Sequence, residues 1–251
     1  MFSNKQDIKK PQFETYLYES DKKRLKKLVT EMSEMAASML QDIGLAVQNR
    51  SLKLANSVIY ADDAIDILEE EIDQESLYSI AMRHPLHSDL RFVYGVMKII
   101  TDIERIGDQC VNMAHLLIKL HDLDRTLSDS HAEIFIRHSL EASDMFKALT
   151  SAFIEESVEI ADLTRQRWKS VRTDINLTID QITQEVFSES VTEKGCGKGE
   201  SMTAALMLIH LVRIFDHIMN FAEMLNFIAT GVSPINYKRE FQKRLYRVLI
   251  A

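Results

Sequence analysis

Residues 57–115 read SVIYADDAIDILEEEIDQESLYSIAMRHPLHSDLRFVYGVMKIITDIERIGDQCVNMAH. Apolar residues recur here every three or four positions, the spacing of one face of an α-helix. The pattern breaks at Pro85, because a proline restricts the residue before it and cannot continue a helix. Two long helices are therefore expected, one from after Asn49-Arg50-Ser51 to about His84, the other from about Leu86 to Leu120.

The same period extends outward. Leu25, Leu28, Met32, Met35 and Met39 mark a first helix over about 20–48, with Ser20 and Asp21 as cap residues. A polar linker, Asp122 to Ser130, leads to a fourth helix over about 130–156 and a fifth ending near Ser190. A sixth, over about 201–230, stops at Thr230-Gly231, a C-cap signal, with Pro234 beyond. The chain has only 7 Gly and 3 Pro in 251 residues, too few for a turn-rich sheet protein. Helices of about thirty residues call for antiparallel bundle packing. The fold class is all-α.

The chain also repeats itself. Asp62, Asp66 and Glu70 align with Asn176, Asp180 and Gln184, and Glu104, Asp108 and Asn112 align with Val212, Asp216 and Asn220. One duplication accounts for both alignments and predicts two antiparallel three-helix bundles, residues 1–122 and 130–231, followed by a basic tail over 232–251.

The acidic residues carry the chemistry. Side chains at i and i+4 share a helix face, so Asp62, Asp66 and Glu70 form a stripe on the second helix, and Glu104 and Asp108 a pair on the third. Like charges at this spacing cost about 0.2–0.5 kcal/mol per pair on a solvated helix, so a plain acidic surface is an alternative for the second helix alone. Two such stripes facing one another demand protons or cations. The third-helix pair is the sharper signal, because it interrupts an apolar stretch from Val96 to Ile118. It also flanks Gly107, a residue that costs up to about 1 kcal/mol inside a helix unless close packing requires it. Hard oxygen ligands suit Mg, Mn, Fe or Zn and do not choose among them. No Glu has a His three residues on, which removes the usual di-iron oxidase pattern. Arg105 is expected to pair with an acid one turn away, and Arg91 with Asp89.

Charge and composition narrow the partners. Residues 1–30 and 235–251 each carry a net +4, and the whole chain −8, so the body between them carries −16. An acidic body argues against nucleic-acid binding. The basic segments 22–27 and 238–247 suit an acidic partner or a peripheral contact with a membrane surface. The N-terminus has no apolar signal segment, and uncharged runs such as Ser201 to Val212 fall short of a membrane span. Cys110 and Cys196 form no metal or redox pair, as expected of a reducing compartment. The loop Lys194 to Glu200 lacks the spacing of a phosphate-binding loop.

The Asp-x-x-x-Asp of Asp62 to Asp66, the His84 to Arg91 turn (HPLHSDLR) and the Glu104 to Asp108 run (ERIGD) resemble the PhoU family in order and spacing, and VRIFDHIMNFAEMLNFIATG resembles that family's second repeat. The resemblance covers about residues 12 to 231. It implies a cytoplasmic, often homodimeric protein of two three-helix bundles that binds metal through E(D)xxxD motifs and has no enzymatic activity. It further implies a negative regulator of phosphate uptake, in contact with a phosphate ABC transporter and its sensor kinase. On this chain the implied metal ligands are Asp62, Asp66, Glu104 and Asp108. Glu70 is added from helical spacing. Asp180 and Asp216 are left to form a weak second site, since Val212 and Phe215 replace Glu104 and Gly107. A metal-dependent phosphohydrolase and a metal-free helical adaptor are the alternative readings.

Overall fold

The computed structural model describes residues 13–187 and 197–232, with side chains from residue 19 onward. Residues 188–196, Cys196 among them, and the tail from residue 233 lie outside the described residues. Six α-helices and no strands are found among them, bearing out the all-α expectation: α1 (Phe13–Asn49), α2 (Leu52–Arg83), α3 (Ser88–Asp122), α4 (Asp129–Glu155), α5 (Val158–Phe187) and α6 (Lys198–Thr230). α1 begins earlier than its apolar pattern suggests, before the Ser20-Asp21 pair.

The helix ends follow local chemistry. Ser51 caps α2, its hydroxyl accepting from the Leu54 amide at 3.4 Å, and Ser128 caps α4 by accepting from the His131 amide at 3.2 Å. α2 closes on His84 in the left-handed region (φ 50°), whose amide reaches Ile80 O, and Pro85 prevents continuation. α6 closes on Gly231 (φ 73°), a conformation only glycine adopts freely.

α1, α2 and α3 pack on one another, and so do α4, α5 and α6 through α6. The two sets join along α3 with α6 and α1 with α4. Both joins are antiparallel: Gly95 lies against Ile228 and Gln109 against His210, while Ala37 O accepts from Ser143 Oγ and Gly44 meets Ser139. α2 and α5 stand at opposite flanks and do not touch. A single cluster of buried apolar side chains runs through both sets. Within it Phe92 stacks on Phe153 (6.1 Å), and Phe221 meets Phe146 and Phe153 edge-on (5.9 and 6.2 Å), so three helices share one aromatic knot.

This packing explains α6. By length and composition it could cross a membrane, since its most apolar eighteen-residue window has a mean hydropathy of 1.4 despite carrying charge. Counting only uncharged runs misses that window. Half of it is buried, and the helix packs against α3, α4 and α5, so its apolarity is matched by protein neighbours.

Replacing Phe221 by Ala should lower the unfolding free energy by about 3–5 kcal/mol in urea titrations, because the knot cannot close over the lost ring. Replacing Tyr60, which is 75% exposed, should change it by less than about 0.5 kcal/mol.

Candidate functional site

The acidic stripes of α2 and α3 do face each other. Gly107 is the reason the helices come so close there. A Cβ at that position would lie 2.9 Å from Asp62 Oδ1 and 3.2 Å from Ile65 Cδ1, so any larger residue would have to displace those side chains. The floor beneath is apolar, with Ile65, Ile103, Ile106 and Cys110 fully buried.

The carboxylates on that floor are poorly hydrated. Burial pushes the Asp62 carboxyl up to about 6, helped by the charges of Asp66, Asp108 and Asp63. Burial likewise raises Glu104 to about 7, with Asp108 adding and Arg105 opposing. Asp66 is exposed and Asp108 half-buried. Burial, with the Asp62 charge, also holds the Cys110 thiol protonated, so it offers no thiolate to the site.

Glu70 does not belong to this set. It is exposed and accepts a hydrogen bond from Gln74 Nε2 of its own helix at 3.1 Å. Glu69 takes its place. Its carboxyl is raised by burial and by Asp73, feels Asp66, and is engaged by Thr101 and Arg105 of α3. Helix geometry accounts for the exchange. At about 100° per residue, Glu69 lies only about 20° around α2 from Asp62, whereas Glu70 lies about 80° away. Stepping twice by four residues drifts off the face, and a step of four followed by three stays on it.

Among the described residues, Arg105 is the cation that contacts these carboxylates. Its Nη1 donates to Asp108 Oδ2 at 3.0 Å, the pairing expected from its spacing, and its Nε lies 3.3 Å from Glu104 Oε2. That second contact is not aligned as a hydrogen bond, and Glu104 Oε2 is buried without a partner. Among the described residues, no three Asp, Glu, His or Cys side chains converge as a ready set of metal ligands. The carboxylates repel one another, and Arg105 contacts two of them.

The equivalent place in the second half is arranged differently. Asp180 on α5 is exposed, as are Asn176 and Gln184. Asp216 on α6 lies 3.6 Å from Arg172 Nη1, and that guanidinium stacks on Trp168 at 5.0 Å. An α5 arginine thus supplies the positive charge there. It stands outside the repeated motif, so comparing the repeats position by position does not reveal it.

The polar residues nearby are placed as follows. His217 holds Asp102 of α3 (2.8 Å), where Asn220 Nδ2 also donates (3.0 Å), so it faces the join between the sets rather than the acidic cluster. Arg91 packs its guanidinium against Gly231, and its Nε is buried with no hydrogen-bond partner. In the basic segment of α1, Lys22 and Lys26 grip Glu156 (2.8 and 2.7 Å) and Arg24 reaches Glu75 (2.9 Å), so much of its charge is spent inside the molecule.

Known proteins share this architecture and these motifs. The PhoU domain model matches residues 29–117, which contain both acidic stripes. A phosphate-specific transport system accessory protein PhoU homolog of Rhizobium meliloti is 30% identical over 224 residues, covering 86% of this chain and 89% of the relative. The chain belongs to the PhoU family. A PhoU homolog of Thermotoga maritima is 27% identical over 229 residues, covering 88% of this chain and 93% of that one. The PhoU crystal structures from Pseudomonas aeruginosa and Streptococcus pneumoniae share the fold, with TM-scores of 0.78 and 0.72 over 86% of this chain, at 23% and 20% identity. They cover 100% and 98% of those chains.

The raised carboxyls set a pH dependence. Asp62 and Glu104 hold protons more tightly folded than unfolded, so the stability they contribute is complete below about pH 4 and is lost as pH rises through about 6 to 7. In metal-free protein the melting temperature should therefore fall between pH 4.5 and pH 7.5. The double change Asp62→Asn with Glu104→Gln should flatten that slope in calorimetric scans.

Proposed function

We propose that this protein is a metal-binding, non-enzymatic accessory protein of a phosphate-specific transport system. In this reading it acts in the cytoplasm as a homodimer and restrains phosphate uptake and starvation signalling by contact with the ABC transporter and its sensor kinase. The observation that carries the reading is near full-length similarity to proteins described as phosphate-specific transport system accessory proteins. Contact as the mode of action is supported by the outer face of α2, where Tyr60, Ile67, Leu77 and Met82 are all more than half exposed.

The metal would lie between α2 and α3, held by Asp62, Asp66, Glu104 and Asp108, with Glu69 beside them. The donor set fits a hard cation, and Glu104 Oε2 is a buried oxygen that lacks a hydrogen-bond partner, its nearest cation being Arg105 Nε at 3.3 Å. A bound divalent ion would supply positive charge that the carboxylates otherwise obtain from protons and Arg105. Arg105 therefore competes with it. Asp180 and Asp216 would bind weakly, because Asp216 already has Arg172.

Two measurements test this. Deleting the gene should derepress phosphate-starvation genes at high phosphate, and unchanged expression would count against the regulatory role. In calorimetric titrations with Mn or Zn, Arg105→Gln and Arg105→Lys should both bind at least about tenfold more tightly than the wild type. An ammonium keeps the charge but cannot bridge the two carboxylates as the guanidinium fork does. Combining Asp66→Ala with Asp108→Ala should abolish most of the binding, and full retention of stoichiometry would refute the assignment of ligands.

A further inference from the structure

Where the C-terminus of α1 meets the N-terminus of α4, the two sets of helices leave a cavity of about 610 Å³. It lies at the opposite end of α1 from Lys22 and Lys26, and none of the acidic-cluster residues lines it. The ends of α1 and α3, the start of α2, the linker after α3 and the first turns of α4 enclose it. Its volume falls within the range of about 300–1,000 Å³ typical of small-molecule sites.

Two features describe what would fit. The wall is apolar, built from Val47, Leu52, Leu117, Leu120 and Leu127 together with the small residues Ala55 and Ala132. The polar part is cationic: Arg50, Arg125 and Arg137 line the cavity against the carboxylates of Asp129 and Glu133. That balance stands out in a chain whose net charge is −8.

Two of the arginines are only loosely held. Arg50 Nη2 meets Asp129 Oδ1 at 3.3 Å, and the Asp129 side chain is 98% exposed. Arg125 Nε is 3.6 Å from Glu200 Oε1. The Arg50 pair is exposed and contributes little; the Arg125 pair is partly buried, Glu200 being only 14% exposed, but it is long, and each guanidinium has five N–H donors, of which these contacts engage few. Arg137 is tied more firmly, to Asp174 at 3.0 Å. Arg50 and Arg125 are thus free to turn toward an incoming anion.

We infer that this cavity binds a small amphiphile with a hydrocarbon or aromatic body and one anionic head, such as an alkyl phosphate monoester. The body fills the leucine-lined space, and the head takes the free donors of Arg50 and Arg125. Such a ligand would touch α1, α2, α3 and α4 together and bridge the two helix sets. The inference is independent of the metal reading, because no residue is shared.

Titration calorimetry on the full chain tests it, with decyl phosphate below its micelle concentration, decanol and inorganic phosphate as the probes. Decyl phosphate should bind one-to-one, with decanol and phosphate each at least tenfold weaker. Filling the space with Ala132→Trp, or more gently with Ala55→Leu, should weaken binding at least tenfold. The pair Arg50→Ala and Arg125→Ala should do the same, with far-ultraviolet circular dichroism unchanged. Absence of saturable binding to the folded wild type overturns the inference, as does undiminished binding to both filled variants. Decanol binding as tightly as decyl phosphate also overturns it, since the head would then go unrecognised. Retention on phosphatidic acid vesicles without binding of the soluble monoester overturns it in favour of a membrane surface.

Discussion

α3 and α6 lie antiparallel along most of their lengths, and the other four helices take their places from that pair. Both are rich in fully buried residues, Ile99, Ile103 and Ile106 on one and Leu211, Ile214 and Ile218 on the other. Each needs apolar neighbours on more than one side. α6 finds them in α3, α4 and α5, and α3 finds them in α1, α2 and α6. The aromatic knot of Phe92, Phe146, Phe153 and Phe221 closes the arrangement at one end of the join.

Acids placed on a helix this apolar are costly, and the two halves of the molecule meet that cost in different ways. In the first half, Gly107 lets α2 approach so closely that Asp62 and Glu104 lose much of their water. Protonation and a misaligned Arg105 offset part of the penalty, and one buried oxygen is left without a partner. In the second half most of the acids are gone, and Arg172, braced on Trp168, meets the one that faces α6's neighbour. The first arrangement is open to an added cation, while the second is already balanced. Asn176, Gln184, Val212 and Phe215 stand where the sequence alignment of the halves has Asp62, Glu70, Glu104 and Gly107, and these residues set the difference.

The helices were readable from sequence because Pro85, Gly231 and the serine caps punctuate a strong apolar period. The pair Glu104 and Asp108 was readable for a similar reason, as charge within an apolar run stands out. Glu69 was harder to see, because three adjacent glutamates differ only in angle around the helix, and a fraction of a turn decides which one faces α3. Arg172 illustrates a second limit. Which acid an arginine neutralises depends on how neighbouring helices are set, and spacing along one helix speaks only to partners on that helix. The arginine-rimmed cavity was invisible for the same reason, since it is assembled from four helix ends and a linker that are distant in the chain.

The polar contacts across the α3–α6 join have a mechanical consequence. Asp102 meets His217 and Asn220, and about two turns further along Gln109 meets His210 at 2.8 Å. Together they act as the teeth of a ratchet. Sliding one helix along the other by a single turn would carry every tooth past its mate and strand a half-buried carboxylate against hydrocarbon, whereas a small rolling or tilting of one half against the other keeps the teeth engaged. The polar contacts thus fix the register of α3 against α6.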